Sequence, residues 1–371
     1  MGKRVLILHI SSVGGHSKAA QNLKEALLFK DKDISVTNLN IFGHFYPKTE
    51  KIVDFVYTNV IKYFPFLWGK IYDRKTIVKN LNPFWRRINK FSFKKIANLL
   101  NDSKPDCILT TQAFPCGIIS SFKEYFKIKI PLVAIVTDYY PHRFWIHVGV
   151  DKYIVASKEA KDILVHENVL ASKIEVIGIP ISIKFLVSHD RYTIAQTFGF
   201  RKDLKTVLIM GGGLGLGPIR EISKALEELD KDFQVIIICG ANSKLFNWFE
   251  KNKKYFKKPL FHFGYVDFVN KIMDFSDIII TKGGGITISE ALAKGLAIII
   301  TNPIPGQEER NVNFLLSKDA VIREDNIFNI SKKVEILLKD DSALNYFKQR
   351  AKSISCSDSS TRIADLILKM I

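Results

Sequence analysis

Apolar residues along this chain follow two alternating rhythms. Some form short, nearly unbroken runs rich in β-branched residues; others recur every three or four positions over longer stretches. Arg4–Ile10, Ile34–Leu39, Cys107–Thr111, Leu132–Thr137, Lys152–Ala156 and Glu175–Ile177 read as strands. After Gly178-Ile179-Pro180 the strands resume with Thr206–Met210, Gln234–Cys239, Leu260–Phe263, Ile278–Ile280 and Ala297–Ile300. Helical stretches separate most of them, among them Ser17–Phe29 with Ala20, Leu23, Leu27 and Leu28 on one face, Ile219–Leu229 and Thr287–Ala293. Strands apolar on both faces and alternating with amphipathic helices predict parallel sheets covered on both sides. Two such series, joined near residues 178–185, predict an α/β chain of two Rossmann-like domains facing across a cleft. The expected domains are 1–180 and 181–345, with 346–371 a C-terminal helix placed to pack back on the first.

Length and composition agree with a packed fold. The chain has 371 residues, 47% of them apolar and 25% charged, which excludes a disordered or fibrous protein. The longest apolar runs, such as Val235–Cys239 and Leu296–Ile300, are strand-sized, so no membrane-spanning helix is expected. The apolar run Val5–Ile10 is too short for a signal peptide, and Leu6 stands where a myristoylation signal needs Ser or Thr. Cys107, Cys116, Cys239 and Cys356 form neither a CxxC pair nor a disulfide framework and read as reduced thiols of a cytoplasmic protein.

Charge changes the picture. Fifty-five Lys and Arg against 37 Asp and Glu give a net charge of +18, which points to a polyanionic partner. Between His44 and Leu100 twelve Lys/Arg face only three acids and are interleaved with thirteen aromatic residues. Ile52, Val53, Val56, Tyr57, Val60, Ile61 and Phe64 make one helical stripe; Phe84, Ile88, Phe91, Ile96 and Leu99 make another, with Arg86, Arg87, Lys90, Lys94 and Lys95 largely opposite. Tyr63–Trp68 between them is unusually apolar for a loop. Basic amphipathic helices with Trp and Phe suit in-plane binding to an anionic membrane, and Trp68, Arg86, Arg87 and Lys90 are the expected contacts. The first helix can equally pack its stripe on the sheet.

Four glycine-rich turns follow predicted strands. Ser11-Ser12-Val13-Gly14-Gly15-His16-Ser17 lacks the ending of a P-loop, but Gly14 and Gly15 let a ligand approach a helix start beside His16. Gly211-Gly212-Gly213-Leu214-Gly215-Leu216-Gly217-Pro218 fails the GxGxxG spacing in every register, and no acid ends the next strand at Cys239-Gly240, so a dinucleotide site is not expected. Ile280-Thr281-Lys282-Gly283-Gly284-Gly285 runs from a strand into a helix, where main-chain N–H groups, the helix dipole and Lys282 suit an anion. Thr287 and Glu290 stand at the spacing of a capping box, which leaves Glu290 either a cap or a ligand contact. The fourth turn, Asn302-Pro303-Ile304-Pro305-Gly306-Gln307-Glu308, offers sugar-reading groups in Gln307, Glu308 and Asn311.

In combination, Gly14-Gly15-His16, Val136-Thr137-Asp138, Thr281–Gly285 with Thr287 and Glu290, and Pro305-Gly306-Gln307-Glu308 with Asn311 resemble the GT-B glycosyltransferases. Within these the chain resembles the monogalactosyldiacylglycerol synthase and processive diacylglycerol glucosyltransferase group, and more distantly the peptidoglycan GlcNAc transferases. The resemblance runs through almost the whole chain. It implies an inverting transferase whose C-terminal domain binds a UDP-hexose and whose N-terminal domain binds a lipid acceptor such as diacylglycerol. It assigns Glu290 to the ribose of UDP, the turn from Gly283 through Gly284 and Gly285 to Thr287, with Lys282, to the diphosphate, and Gly264-Tyr265-Val266 to uracil. Gln307, Glu308 and Asn311 fall to the donor sugar, and Gly14, Gly15 and His16 to the acceptor side. Gly283 departs from relatives that carry Pro or Ala there.

Inversion needs a base for the acceptor hydroxyl's proton, and His16 or Asp138 supplies it. Stabilisation of departing UDP by a helix N-terminus and Lys282 implies no metal and no other cofactor. Asp31-Lys32-Asp33 and Asp230-Lys231-Asp232 follow helices and read as turns, not as DxD metal motifs. The expected enzyme works on the cytoplasmic, inner face of the cell membrane as a peripheral protein, moving glucose or galactose from its UDP derivative to diacylglycerol. A UDP-GlcNAc transferase acting on a polyprenyl-linked acceptor is the enzymatic alternative. A nucleic-acid-binding protein is the alternative of another class; it leaves the glycine turns unexplained, and no nucleic-acid partner is expected.

Overall fold

The computed structural model describes residues 2–10, 14–46 and 93–371. The chain divides into two compact units: Met1–Ile183 with Pro305–Gln307 and Asp358–Ile371, and Lys184–Ile304 with Glu308–Ser357.

The first unit is built on six parallel strands: β1 (Arg4–His9), β2 (Ser35–Asn40), β3 (Cys107–Thr110), β4 (Leu132–Ile135), β5 (Lys152–Val155) and β6 (Ile174–Val176). Their order is β2-β1-β3-β4-β5-β6, with Leu6 opposite Ile108 and Leu109 opposite Val133. The period of two sorts their side chains between two cores. Val5, Ile7, Cys107, Leu109, Val133 and Ile135 meet Ala20, Leu23 and Leu27 of the helix Gly15–Lys30. Leu6, Leu8, Ile108 and Ala134 face the opposite way, onto Ile96, Cys116, Ile119 and Phe122. Burial on both faces is why these strands carry apolar residues without alternation.

The C-terminal helix Ser359–Met370 belongs to this first core, through Ile363, Ala364 and Ile367. Its start is fixed by two buried hydroxyls: Ser359 Oγ donates to the Ile179 carbonyl at 2.7 Å and Ser360 Oγ to that of Ile181. Asn22 Nδ2 holds the Pro180 carbonyl at 3.0 Å, so Gly178–Ser182 is tied to both helices.

The second unit repeats the plan with β7 (Thr206–Met210), β8 (Gln234–Ile238), β9 (Leu260–Phe263), β10 (Ile278–Thr281), β11 (Ala297–Ile300) and β12 (Val321–Arg323), all parallel, in the order β12-β11-β10-β7-β8-β9. β12 is absent from the sequence reading because its three residues bury only Val321 and end in Arg323. A buried Lys294 ammonium bonds Asp274 at 2.7 Å and the Val187 carbonyl at 2.6 Å, and Asp274 also meets His189 Nδ1 at 2.8 Å. This network pins 187–189 to the unit.

In such sheets ligands bind beyond the carboxyl ends of the strands, where the winding direction reverses. In the first unit the reversal lies between β1 and β3, in the second between β7 and β10. Three of the four glycine-rich turns of the sequence follow β1, β7 and β10.

Cys107, Cys116 and Cys239 are buried and Cys356 is half-buried, and none of the four is in a disulfide. Burial pushes the thiols of Cys107, Cys116 and Cys239 up to about 12, so they stay protonated and act as packing groups. Among the described residues no helix is long and apolar enough to cross a membrane. The segment carrying Trp68, Arg86, Arg87 and Lys90 lies outside the described residues.

Ile363 is fully buried, so Ile363→Ala is expected to destabilise the first unit by about 2–5 kcal/mol in urea unfolding. A change below about 0.5 kcal/mol would show that the C-terminal helix is not part of that core.

Candidate active site

In the first unit the helix after β1 begins at Gly15, two residues earlier than its apolar pattern suggests, because Gly14 makes the turn at once as N-cap. Gly14 has φ 131°, a conformation L side chains rarely adopt, although space is open around it. His16 therefore sits in the first helical turn, where the positive end of the dipole opposes a proton. Residues 11–13 lie outside the described residues.

Two hydroxyls from neighbouring strand ends hold His16. Thr111 Oγ1 donates to its main-chain carbonyl at 2.9 Å, and Thr137 Oγ1 lies 2.9 Å from its ring Nδ1. Burial, opposed by a hydrogen bond to the Thr111 main chain and helped by the charge of nearby His9, brings the imidazole down to about 4. The ring is neutral at neutral pH.

Asp138, the next residue after Thr137, is buried, and its Oδ2 accepts from the side-chain amide of Gln307, which belongs to this unit. The loop beyond Asp138 is braced at several points. Tyr153 Oη bonds the main-chain N–H and carbonyl of His147 at 3.0 Å each, Gly149 N–H donates to Ser120 Oγ, and Arg143 pairs with Glu167. Buried His142 Nδ1 caps the Phe144 N–H at 3.2 Å.

In the second unit the turn after β7 closes on itself. A Cβ on Gly211 would lie 1.8 Å from the Leu216 carbonyl oxygen, and one on Gly215, at φ 58°, 2.0 Å from that of Cys239. Gly213 takes the Ala241 N–H at 2.9 Å and Asn242 Nδ2 holds the Gly215 carbonyl at 3.1 Å. Glycines 211 and 215 are thus explained by backbone packing. Across the reversal point, a Cβ on Gly212 would stand 3.5 Å from Lys282 Cε, so the turns after β7 and β10 lie side by side.

The helix after β10, Gly285–Lys294, starts on Gly284 with no side-chain cap. The capping-box reading of Thr287 and Glu290 is therefore overturned. That motif needs Thr287 at the N-cap, and the helix starts two residues before it because three glycines impose no side-chain restraint on where it begins. Thr287 and Glu290 are both buried on this short helix.

The turn and the helix Gln307–Leu316 are locked together. Lys282 Nζ pairs with Glu308 Oε1, Glu308 Oε2 accepts the Ile304 N–H at 2.9 Å, and fully buried Asn311 donates to the Gly283 carbonyl at 3.2 Å. A Cβ on Gly283 would come within 2.8 Å of Glu308 Cβ. Val266 is half-buried in the turn after β9, two strands from β7, beside the exposed Tyr265. Among the described residues no cluster of three or more His, Cys, Asp or Glu is placed to hold a metal ion.

Thr111 and the Ile304 N–H are groups that the sequence reading did not single out, and Thr137 entered it only within the motif Val136-Thr137-Asp138, with no role of its own. For the two threonines a signal was available: both are polar residues at the carboxyl ends of otherwise apolar strands.

Gly283→Ala is expected to push the helix Gln307–Leu316 off the turn, disturb the Lys282–Glu308 pair and destabilise the second unit by about 1–3 kcal/mol in urea unfolding. Unchanged stability would show that the chain yields here without cost.

Comparison with known proteins identifies the family. Residues 16–181 match the family model described as monogalactosyldiacylglycerol (MGDG) synthase, and residues 206–364 the glycosyltransferase family 28 C-terminal domain. A processive diacylglycerol beta-glucosyltransferase of Bacillus mycoides (strain KBAB4) is 32% identical over 98% of this chain and 93% of its own. The fold is like that of Acinetobacter baumannii MurG, with a TM-score of 0.64, 16% identity and coverage of 99% and 100% of the two chains. The UDP-GlcNAc 2-epimerase from Neisseria meningitidis bound to UDP-GlcNAc gives 0.63 and 17% over the same shares. With two six-stranded parallel sheets and relatives of this identity along nearly its whole length, the chain belongs to the GT-B glycosyltransferases of the monogalactosyldiacylglycerol synthase and processive diacylglycerol glucosyltransferase family.

Proposed function

We propose that the protein transfers glucose from UDP-glucose to diacylglycerol at an anionic membrane surface, with inversion at the anomeric carbon and without a metal ion. The observation that carries the donor half is the uncapped start of the helix Gly285–Lys294 beside Lys282. Its first-turn N–H groups and the positive end of its dipole suit a diphosphate. The hexose and the acceptor rest on the family, whose curated relatives are named diacylglycerol beta-glucosyltransferases. The membrane surface rests on the basic aromatic composition of residues 44–100.

In the reaction the acceptor hydroxyl oxygen attacks the anomeric carbon from the face opposite UDP. The bond from that carbon to the β-phosphate oxygen breaks, and its electron pair leaves with UDP. His16 takes the hydroxyl proton, which only a neutral imidazole can do, and burial keeps it neutral. Lys282 and the glycine turn offset the charge gathering on the leaving diphosphate. Glu290 holds the ribose, Val266 lies at the uracil, and Glu308 and Asn311 order the turn from the sugar side. Asp138 takes part as the buried carboxylate beside this centre.

The experiment is transfer of label from a panel of UDP-sugars into lipid, using vesicles of diacylglycerol and anionic phospholipid. Label from UDP-glucose in a glycosyldiacylglycerol is the expected result. Label only from UDP-galactose would change the hexose, and label only with a polyprenyl-linked acceptor would overturn the lipid assignment. In the same assay His16→Ala is expected to lower turnover by about 10²–10⁴-fold with UDP affinity kept. Glu290→Ala is expected to weaken UDP binding.

The low basicity of His16 fixes a sign for pH. Its unprotonated form is the active one, so the acid limb of kcat/KM is expected near pH 4 and not near the ordinary histidine value of 6.5. A limb at 6–7 that disappears in His16→Ala would contradict this environment for the ring.

A further inference from the structure

We propose that Thr137 is a positioning residue for the transfer step: its hydroxyl accepts the Nδ1 proton of His16 and so holds the tautomer whose Nε2 is open to the acceptor's proton. The inference rests on the reading of His16 as the base, and it adds the group that makes the base usable.

The two ring nitrogens are not equivalent. If the Thr137 hydroxyl donated to Nδ1, the proton of the neutral ring would sit on Nε2, which would then face an acceptor hydroxyl as a donor and take nothing from it. With the proton on Nδ1 and Thr137 receiving it, Nε2 presents a lone pair. When Nε2 gains the acceptor's proton the ring becomes an imidazolium that keeps its Nδ1–H on Thr137, so the hydrogen bond survives the transfer.

The surrounding geometry favours a fixed ring. Thr137 is buried, two residues beyond the end of β4, and its Oγ1 stands 2.9 Å from Nδ1. Thr111, one residue beyond β3, holds the His16 main chain through its own hydroxyl at 2.9 Å. β3 and β4 are hydrogen-bonded neighbours, so one rigid sheet edge fixes both the backbone and the ring of the same residue. A hydroxyl also does this without charge. A carboxylate at Nδ1 would orient the ring but raise its basicity, whereas with a neutral partner burial and the His9 charge outweigh the hydrogen bond to the Thr111 main chain and keep the ring unprotonated.

The test uses the full chain with UDP-glucose and diacylglycerol vesicles. Thr137→Val keeps the shape and removes the hydroxyl; it is expected to lower kcat at least 30-fold with KM for UDP-glucose within twofold of the parent. Thr137→Ser is expected to recover kcat to within about fivefold. In the His16→Ala background Thr137→Val is expected to cost nothing further, because Thr137 acts through the ring. Nitrogen-15 shifts of His16 in the parent protein are expected to show the proton on Nδ1. A Thr137→Val enzyme with kcat within threefold of the parent, or a proton found on Nε2, overturns the proposal. If Thr137→Val does not fold, Thr137→Ser and the nitrogen-15 shifts decide. Full turnover in His16→Ala would instead overturn the reading of His16 as base, and the nitrogen-15 shifts would still report on the hydrogen bond.

Discussion

A helix that begins on glycine with no side-chain cap leaves its first-turn N–H groups and the positive end of its dipole turned toward whatever the preceding strand delivers. In this protein that helix is Gly285–Lys294, and the strand is β10, at the point where the second sheet reverses its winding. Much of the second unit can be understood as support for that uncapped helix start. The turn after β7 folds tightly enough on itself to stand beside Lys282. Glu308 holds the ammonium, and Asn311 holds the carbonyl of Gly283. Gly283 permits the approach of the helix that carries both. An anion site made of main chain and one lysine is only as good as its rigidity, since preorganised dipoles need no rearrangement when charge arrives.

The first unit uses the same architecture for a different end. It holds a histidine in the first turn of a helix, gripped by hydroxyls from two neighbouring strand ends. Burial and the helix terminus both act against a proton on that ring, so the unit presents a neutral imidazole at its reversal point.

The strands were legible because sheets buried on both faces demand continuous apolar runs; Val5–Leu8 and Ile278–Ile280 are such runs, and both are almost wholly inaccessible. β12 was not legible, since a three-residue edge strand ending in Arg323 carries no such run. The glycine turns could be found, but their separate duties could not. Nothing in the letters distinguishes Gly211, where a Cβ would fall 1.8 Å from the Leu216 carbonyl oxygen, from Gly284, required by nothing but the start of a helix. Thr287 and Glu290 show the same limit: the capping-box spacing is present, and the helix simply begins elsewhere. Gln307 and Asn311 were singled out as sugar contacts, and the structure shows their amides on Asp138 and on Gly283. Contacts between residues this far apart in sequence are set by the tertiary fold.

The most direct measurement is hydrogen exchange of the main-chain amides with and without saturating UDP. The account predicts marked slowing at residues 284–287, at the start of the helix after β10, with the first-turn amides of the helix Gly15–Lys30 little changed. Slowing confined to the helix Gly15–Lys30, or no slowing at 284–287 under conditions where UDP is bound, would contradict it.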